Sequence, residues 1–236
     1  MEVLKLNHVS FSYDTHTVFE GIDYAFEDHK IYAIVGRSGE GKTTLLSVMS
    51  GLTEPSSGEI MVNGNNIGGR DKYEYRSKDV GVIFQNFNLL TKLTAAENVA
   101  FSIELSEQNG RDGKKSSQAV ISQKAYDLLN QMGLSRDEAD RRVLKLSGGQ
   151  QQRVAIARAL SYGAGIILAD EPTGNLDQST QVEIMDIFRH LADEGKCVII
   201  VTHSAYVAEQ ADVCVDLAAL KQAGSSGPRQ SIYDKA

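Results

Sequence analysis

Three short stretches of the 236-residue sequence combine residue types suited to phosphate and water chemistry. The first, Gly36-Arg37-Ser38-Gly39-Glu40-Gly41-Lys42-Thr43-Thr44, fits the spacing GxxxxGK[ST]. Its glycines let successive backbone N–H groups turn inward around a phosphate, and a helix starting there adds the positive end of its dipole. Lys42 is spaced to reach terminal phosphates and the Thr43 hydroxyl to ligate Mg²⁺. No G-x-G-x-x-G can be laid over the stretch, which removes the dinucleotide-binding alternative.

The second stretch is an apolar run, residues 166–169, ending in Asp170 and Glu171. A first carboxylate can hold a metal's water shell while the second polarises a water nucleophile. Such endings also occur at ordinary strand ends, so the pair gains meaning from the phosphate loop upstream. The third stretch, Ser147-Gly148-Gly149-Gln150, precedes a helical run and forms another anion-binding helix start. The two loops cannot easily serve one phosphate group within a single chain while each heads its own helix. A site built from two copies of the chain solves that geometry; a glycine loop that merely caps a helix is the plainer alternative.

These loops need a frame. Residues 3–9 and 18–26 read as paired strands about a polar turn at residues 14–16, and residues 58–63 as a hairpin-like segment with an Asn63-Gly64 turn. The apolar runs 31–35, 166–169 and 197–201 read as strands buried on both faces. Residues 42–50 are helical and stop at Gly51. Ile121, Ala125, Leu128 and Met132 recur at helical spacing before Gly133, and residues 182–191 form an amphipathic helix before Gly195. The alternation predicts an α/β fold with a mostly parallel core sheet. Residues 108–117 read as a polar connection, and those after Leu220 as a polar, poorly ordered tail.

Composition limits the partners. Lys and Arg number 24 against 31 Asp and Glu, a net charge of −7, so the chain lacks the basic footprint of a nucleic-acid binder. Two cysteines cannot build a disulfide framework, and Cys197, within an apolar run, reads as a small buried hydrophobe in a reducing compartment. No apolar stretch approaches membrane-spanning length and the N-terminus lacks the pattern of a signal peptide, so a soluble cytosolic chain is expected.

With its motifs in order, the sequence resembles the nucleotide-binding subunits of ABC transporters over residues 1–220. Residues 36–44 look like the Walker A loop, Gln85 the Q-loop and residues 146–150 the signature. Residues 166–171 look like Walker B with its catalytic glutamate, Asp177 in Gly174-Asn175-Leu176-Asp177 the D-loop, and His203 the switch histidine. Tyr13 matches the aromatic residue that stacks on adenine. Taken singly, Tyr13 is more often a turn aromatic and His203 a structural histidine; the ordered set favours the functional reading. The phrases around residues 84–90, 93–99 and 174–177 resemble a branch of macrolide exporters, lipoprotein-release ATPases, the cell-division ATPase and bacteriocin or antimicrobial-peptide exporters.

The resemblance implies a P-loop NTPase fold with an N-terminal antiparallel β subdomain and a helical subdomain inserted at about residues 86–162. It also implies an ATP hydrolase working as a head-to-tail dimer, with ATP held between residues 36–44 of one copy and Ser147, Gly148, Gly149 and Gln150 of the other. Thr43 and Gln85 would ligate Mg²⁺, and Asp170 would hold it through water. Glu171 would act as general base, His203 would contact the γ-phosphate and orient the water and base, and Lys42 would reach the β- and γ-phosphates. A separate membrane permease is expected at the inner face of the cell membrane, docked beside Phe84, Phe87, Leu89 and Leu90, which could equally be core of the helical subdomain. DNA-repair and translation relatives would need long insertions or a second cassette; a non-transporting ATPase signalling through a membrane partner remains the alternative.

The chain departs from common members in three places. Arg37 and Glu40 occupy variable loop positions and are expected to point outward. Residues 108–117 are unusual. The stretch after Asp212, Val213-Cys214-Val215-Asp216-Leu217, lacks the usual closing Asp-Gly hairpin, leaving the order of the last strands open.

Overall fold

The short apolar runs become the strands of a central sheet in the computed structural model of the chain, which describes residues 1–108, 116–223 and 233–234. β1 (Glu2–Tyr13) and β2 (His16–Glu27) open the chain, followed by β3 (Lys30–Val35), α1 (Lys42–Met49), β4 (Ser57–Val62) and β5 (Asn65–Asn66). Next come α2 (Lys72–Lys78), β6 (Val80–Ile83), α3 (Ala95–Gln108), α4 (Gln118–Gln131), α5 (Arg136–Ala139) and α6 (Gly148–Leu160). β7 (Ile166–Asp170), α7 (Gln178–Asp193), β8 (Cys197–Thr202), α8 (Ala205–Gln210), β9 (Val213–Asp216), α9 (Leu217–Ala223) and β10 (Tyr233–Asp234) complete it.

The central sheet has the order β10-β9-β3-β8-β7-β6, and a second sheet the order β2-β1-β4-β5. The second is antiparallel throughout. In the central sheet only β10 runs against its neighbour. The order left open by the sequence is thereby answered: β9 lies parallel to β3, with Val35 opposite Asp216, and β10 returns along β9.

Both faces of the central sheet are covered, which is why its strands read as unbroken apolar runs. Alternate residues divide between two cores. Ile31, Ala33, Ile167, Ala169, Val198 and Ile200 join residues from α3, α4, α6 and α7. Tyr32, Ile34, Ile166, Leu168, Cys197, Ile199 and Val201 join α1 and the antiparallel sheet. Cys197 is fully buried, as expected, and burial pushes its thiol up to about 12.

Between β6 and β7 the chain is helical, α3 packing on both α4 and α6. On α4 the buried stripe is Ile121, Ala125 and Leu129, with Met132 just beyond, while Leu128 is only partly buried. The stripe differs from the sequence spacing at one position, where Leu129 takes the buried place expected of Leu128. Of the polar connection at 108–117, residues 109–115 lie outside the described residues. Of the tail from residue 221, α9 takes 221–223 and β10 takes 233–234; the remainder also lies outside them.

Candidate active site

β3 delivers the chain to residues 36–41, and α1 starts at Lys42. Gly41 caps that helix with φ +101°, and a Cβ there would fall 2.5 Å from Val18 Cγ1, so this position requires glycine twice over. The Lys42 ammonium is buried and donates to the carbonyls of Gly36 at 2.8 Å and Arg37 at 3.0 Å. It thus lies over the loop whose backbone it would share with a phosphate.

One expectation is corrected here. Arg37 is exposed, but Glu40 does not point outward. Its carboxylate folds back to accept the Arg37 N–H at 2.6 Å, leaving no room for a side chain at position 36. An unpaired N–H at a loop start draws in the nearest acceptor, and a glutamate three residues on is long enough to reach it.

Across the sheet, Thr43 Oγ1 donates to Asp170 Oδ1 at 3.3 Å. Asp170 ends β7 with little exposure, and burial raises its pKa above the ordinary aspartate range; the adjacent Glu171 adds to the rise while Thr43 and Lys42 oppose it. The next residue, Glu171, adopts the left-handed φ of +46° while its N–H donates to Val201 O at 2.9 Å. That conformation turns its carboxylate off the strand, at a local cost of about 1–3 kcal/mol. The carboxylate is then held at both oxygens: Thr202 Oγ1 donates to Oε2 at 2.9 Å, and His203 Nδ1 pairs with Oε1 at 2.6 Å.

These groups line one cavity of about 490 Å³. It contains Tyr13, Ser38, Gly39, Gly41, Lys42, Thr43, Thr44, Gln85, Asp170, Glu171 and His203, together with His16 and Val18, which the sequence reading did not single out. Tyr13 stands 57% exposed, its ring meeting that of Phe11 at 86° with centroids 4.7 Å apart, and its exposed surface is open to stacking. Gly36, Arg37 and Glu40 do not line the cavity.

Ser147, Gly148, Gly149, Gln150 and Asp177 also lie outside it. Ser147 and Gln150 form a capping box on α6: Ser147 Oγ accepts the Gln150 N–H at 3.2 Å and Gln150 Oε1 the Ser147 N–H at 2.9 Å. Gly148 approaches Leu176, and a Cβ on Gly149 would meet Thr180 Cγ2 at 2.4 Å. Asp177 caps α7, its carboxylate accepting from Thr180 N–H, Thr180 Oγ1 and Ser179 Oγ, and these bonds hold its pKa well below the usual carboxylate range. The glycine loop and residues 176–180 therefore form one packed surface.

Beyond Gln85 the backbone makes two consecutive left-handed residues, Phe87 (φ +59°) and Asn88 (φ +49°). Arg158, at the end of α6, donates to both carbonyls. Phe87 and Leu89 pack against the helical core, whereas Leu90 stands 44% exposed, so that segment is part core and part surface. Thr202, beside His203, and Arg158, in the helix after the Ser-Gly-Gly loop, were given no role from the sequence, because only the folded backbone shows what they hold.

The chemistry available is anion binding by a glycine loop and an ammonium, hard-cation binding by oxygen donors, and proton acceptance by a positioned carboxylate. Comparison with known proteins agrees. Residues 19–174 match the family described as ABC transporter. The chain is 39% identical over 220 residues to YclH of Bacillus subtilis (strain 168), an uncharacterized ABC transporter ATP-binding protein, covering 92% of this chain and 94% of that one. It is 41% identical over 222 residues to the macrolide export ATP-binding/permease protein MacB of Salmonella typhi, spanning 91% of this chain and 33% of MacB. Its fold superposes with TM-score 0.81 on the ATP-binding cassette MJ0796, solved as a dimer in a post-hydrolysis state bound to ADP and Pi, at 32% identity and covering 90% and 93% of the two chains.

Proposed function

The chain belongs to the ABC transporter family as an ATP-hydrolysing, ATP-binding subunit, and from that premise we propose that two copies close head-to-tail on ATP and drive a separate membrane permease. One observation carries the reading. The cavity gathers Lys42, Thr43, Gln85, Asp170, Glu171 and His203, while Ser147–Gln150 face elsewhere on the same chain. Each copy then offers a phosphate-binding half and a covering half, and a second copy completes both.

In this reading Tyr13 stacks on adenine, worth about 1–3 kcal/mol by analogy with base–aromatic stacking elsewhere. The N–H groups of residues 38–43 and Lys42 hold the phosphates. The donor set fits Mg²⁺: Thr43 Oγ1, the Gln85 amide oxygen and the Asp170 carboxylate are hard oxygen ligands. Among the described residues no cluster of three or more His, Cys, Asp and Glu side chains could cage a metal unaided, as suits an ion shared with nucleotide phosphates. Mg²⁺ would supply charge neutralisation on the transferred phosphoryl group. Glu171 accepts the proton of the attacking water as its oxygen bonds to the γ-phosphorus and the bond to ADP breaks; Thr202 and His203 keep that carboxylate aimed.

No helix among the described residues is long and apolar enough to cross a membrane. MacB joins ATP-binding and permease functions in one name, whereas YclH, matched over 94% of its length, is named as an ATP-binding protein alone; the second arrangement is the one we propose for this protein. We assign this protein to the inner face of the cell membrane through that partner, in export or extraction of a peptide, lipid-linked or drug-like substrate. The test is gel filtration of Glu171→Gln with ATP and Mg²⁺. It should run as a dimer and hydrolyse at least about tenfold more slowly than the parent, and Ser147→Arg should keep it monomeric. A monomer with parental turnover would overturn the reading. Transport, or its absence, by the complex with the proposed permease separates an exporter from a signalling ATPase.

A further inference from the structure

The departure after Asp212 brings an additional element to the phosphate loop. Because Val35 of β3 lies opposite Asp216 of β9, the two strands release their chains side by side: Gly36 starts the loop where Leu217 starts α9. Leu217 is fully buried, and its Cβ lies 3.6 Å from where a Cβ on Gly36 would stand. The Asp216 carboxylate accepts the Ala218 N–H and anchors the helix start, and α9 packs along β2. One turn on, on the same face as Leu217, the Lys221 ammonium donates to the Glu40 carbonyl at 2.5 Å.

That carbonyl shares a peptide unit with the N–H of Gly41. In a planar trans peptide the C=O and N–H point in opposite directions. A cation holding the Glu40 oxygen from outside therefore aims the Gly41 N–H toward the cavity that Gly41 lines, and polarises it as a donor. At φ +101° Gly41 has the most freedom to let this plane rotate. The Glu40 carboxylate on the Arg37 N–H braces the same turn from its other end.

We propose that Lys221 is a positioning residue for the phosphate loop, fixing the Glu40–Gly41 peptide with its N–H toward the nucleotide phosphates. The proposal rests on the reading that residues 36–44 bind those phosphates. The test uses the full chain and its Lys221→Met, Lys221→Gln and Lys221→Arg variants. ADP affinity, KM and kcat for ATP, and melting temperature are measured for each. Lys221→Met and Lys221→Gln should weaken ADP binding and raise KM by about two- to tenfold, the scale of one hydrogen bond. Their kcat at saturation and melting temperature should stay near parental values, and Lys221→Arg should restore KM. Parental ADP affinity in both Lys221→Met and Lys221→Gln would overturn the proposal, as would a loss of affinity that only tracks a fallen melting temperature. If instead Lys42→Ala binds ADP as the parent does, the phosphate-loop reading itself fails.

Discussion

Arg158 holds the carbonyl of Asn88 at 2.5 Å from the far end of the helix that the Ser-Gly-Gly loop begins. Its second nitrogen holds Phe87 O at 2.9 Å, so one guanidinium fixes two successive left-handed residues beyond Gln85. Burial lowers the pKa of Arg158, but a guanidinium keeps its charge at any working pH. α6 thereby ties the signature loop at one end to the Gln85 segment at the other.

Arg158→Met should cost about 2 kcal/mol of stability, the worth of hydrogen bonds from a charged donor to two carbonyls. Arg158→Lys, which offers a point charge in place of a fork, should recover only part of it. Denaturant unfolding measures both, and an unchanged midpoint in Arg158→Met would contradict the tie.

Thr202→Val removes the donor to Glu171 Oε2 while conserving shape. The carboxylate then hangs on His203 alone, and kcat should fall about ten- to hundredfold, as expected for a misplaced catalytic group. KM should hold, because no phosphate contact is touched, and Thr202→Ser should retain most activity. Steady-state ATPase assays separate the two parameters.

Gly149→Ala would drive a methyl group against Thr180 Cγ2, which cannot swing away because Thr180 Oγ1 is bonded to Asp177. Overpacking of this kind should destabilise by about 1–3 kcal/mol. Thr180→Ser deletes the offending methyl and keeps the hydroxyl, so the double variant should recover most of the loss. A double-mutant cycle with no coupling would show that the contact is unimportant.

Asp170→Asn tests the buried carboxyl. Its folded-state pKa is raised by burial, so between the ordinary aspartate value and the raised one the native chain binds more protons than the unfolded chain. Stability therefore declines as pH rises through that window and stays lowered above it. Without nucleotide or Mg²⁺, Asp170→Asn should melt higher than the parent at neutral pH, and the difference should close below about pH 4. A variant melting lower at pH 7 and level at pH 4 would reverse the assigned sign. In the same variant, ATPase activity should drop through loss of the carboxylate proposed to hold Mg²⁺.

Contiguous signals were the legible ones. Residues 36–44 and 147–150 each announce a loop and the helix that follows it, because glycine freedom and helix starts are local properties. The buried strands were legible for the same reason: a sheet covered on both faces needs unbroken apolar runs. What stayed hidden depends on packing between distant segments. His16 and Val18 enter the cavity only because β2 folds over the loop. Glu40 turns inward because the Arg37 N–H lacks another acceptor. The register of β9 on β3, which brings Leu217 and Lys221 to the loop, has no signature in residues 213–217 themselves.

The placement of Ser147–Gln150 away from the cavity of their own chain reaches into genetics. In the proposed sandwich, Lys42→Ala disables a copy's phosphate-binding half and Ser147→Arg its covering half, so homodimers of either allele have two dead sites. A mixed dimer joins both lesions in one site and leaves the other wholly intact. Two alleles that are each null alone should therefore complement when expressed together, whereas a gene carrying both lesions should complement neither.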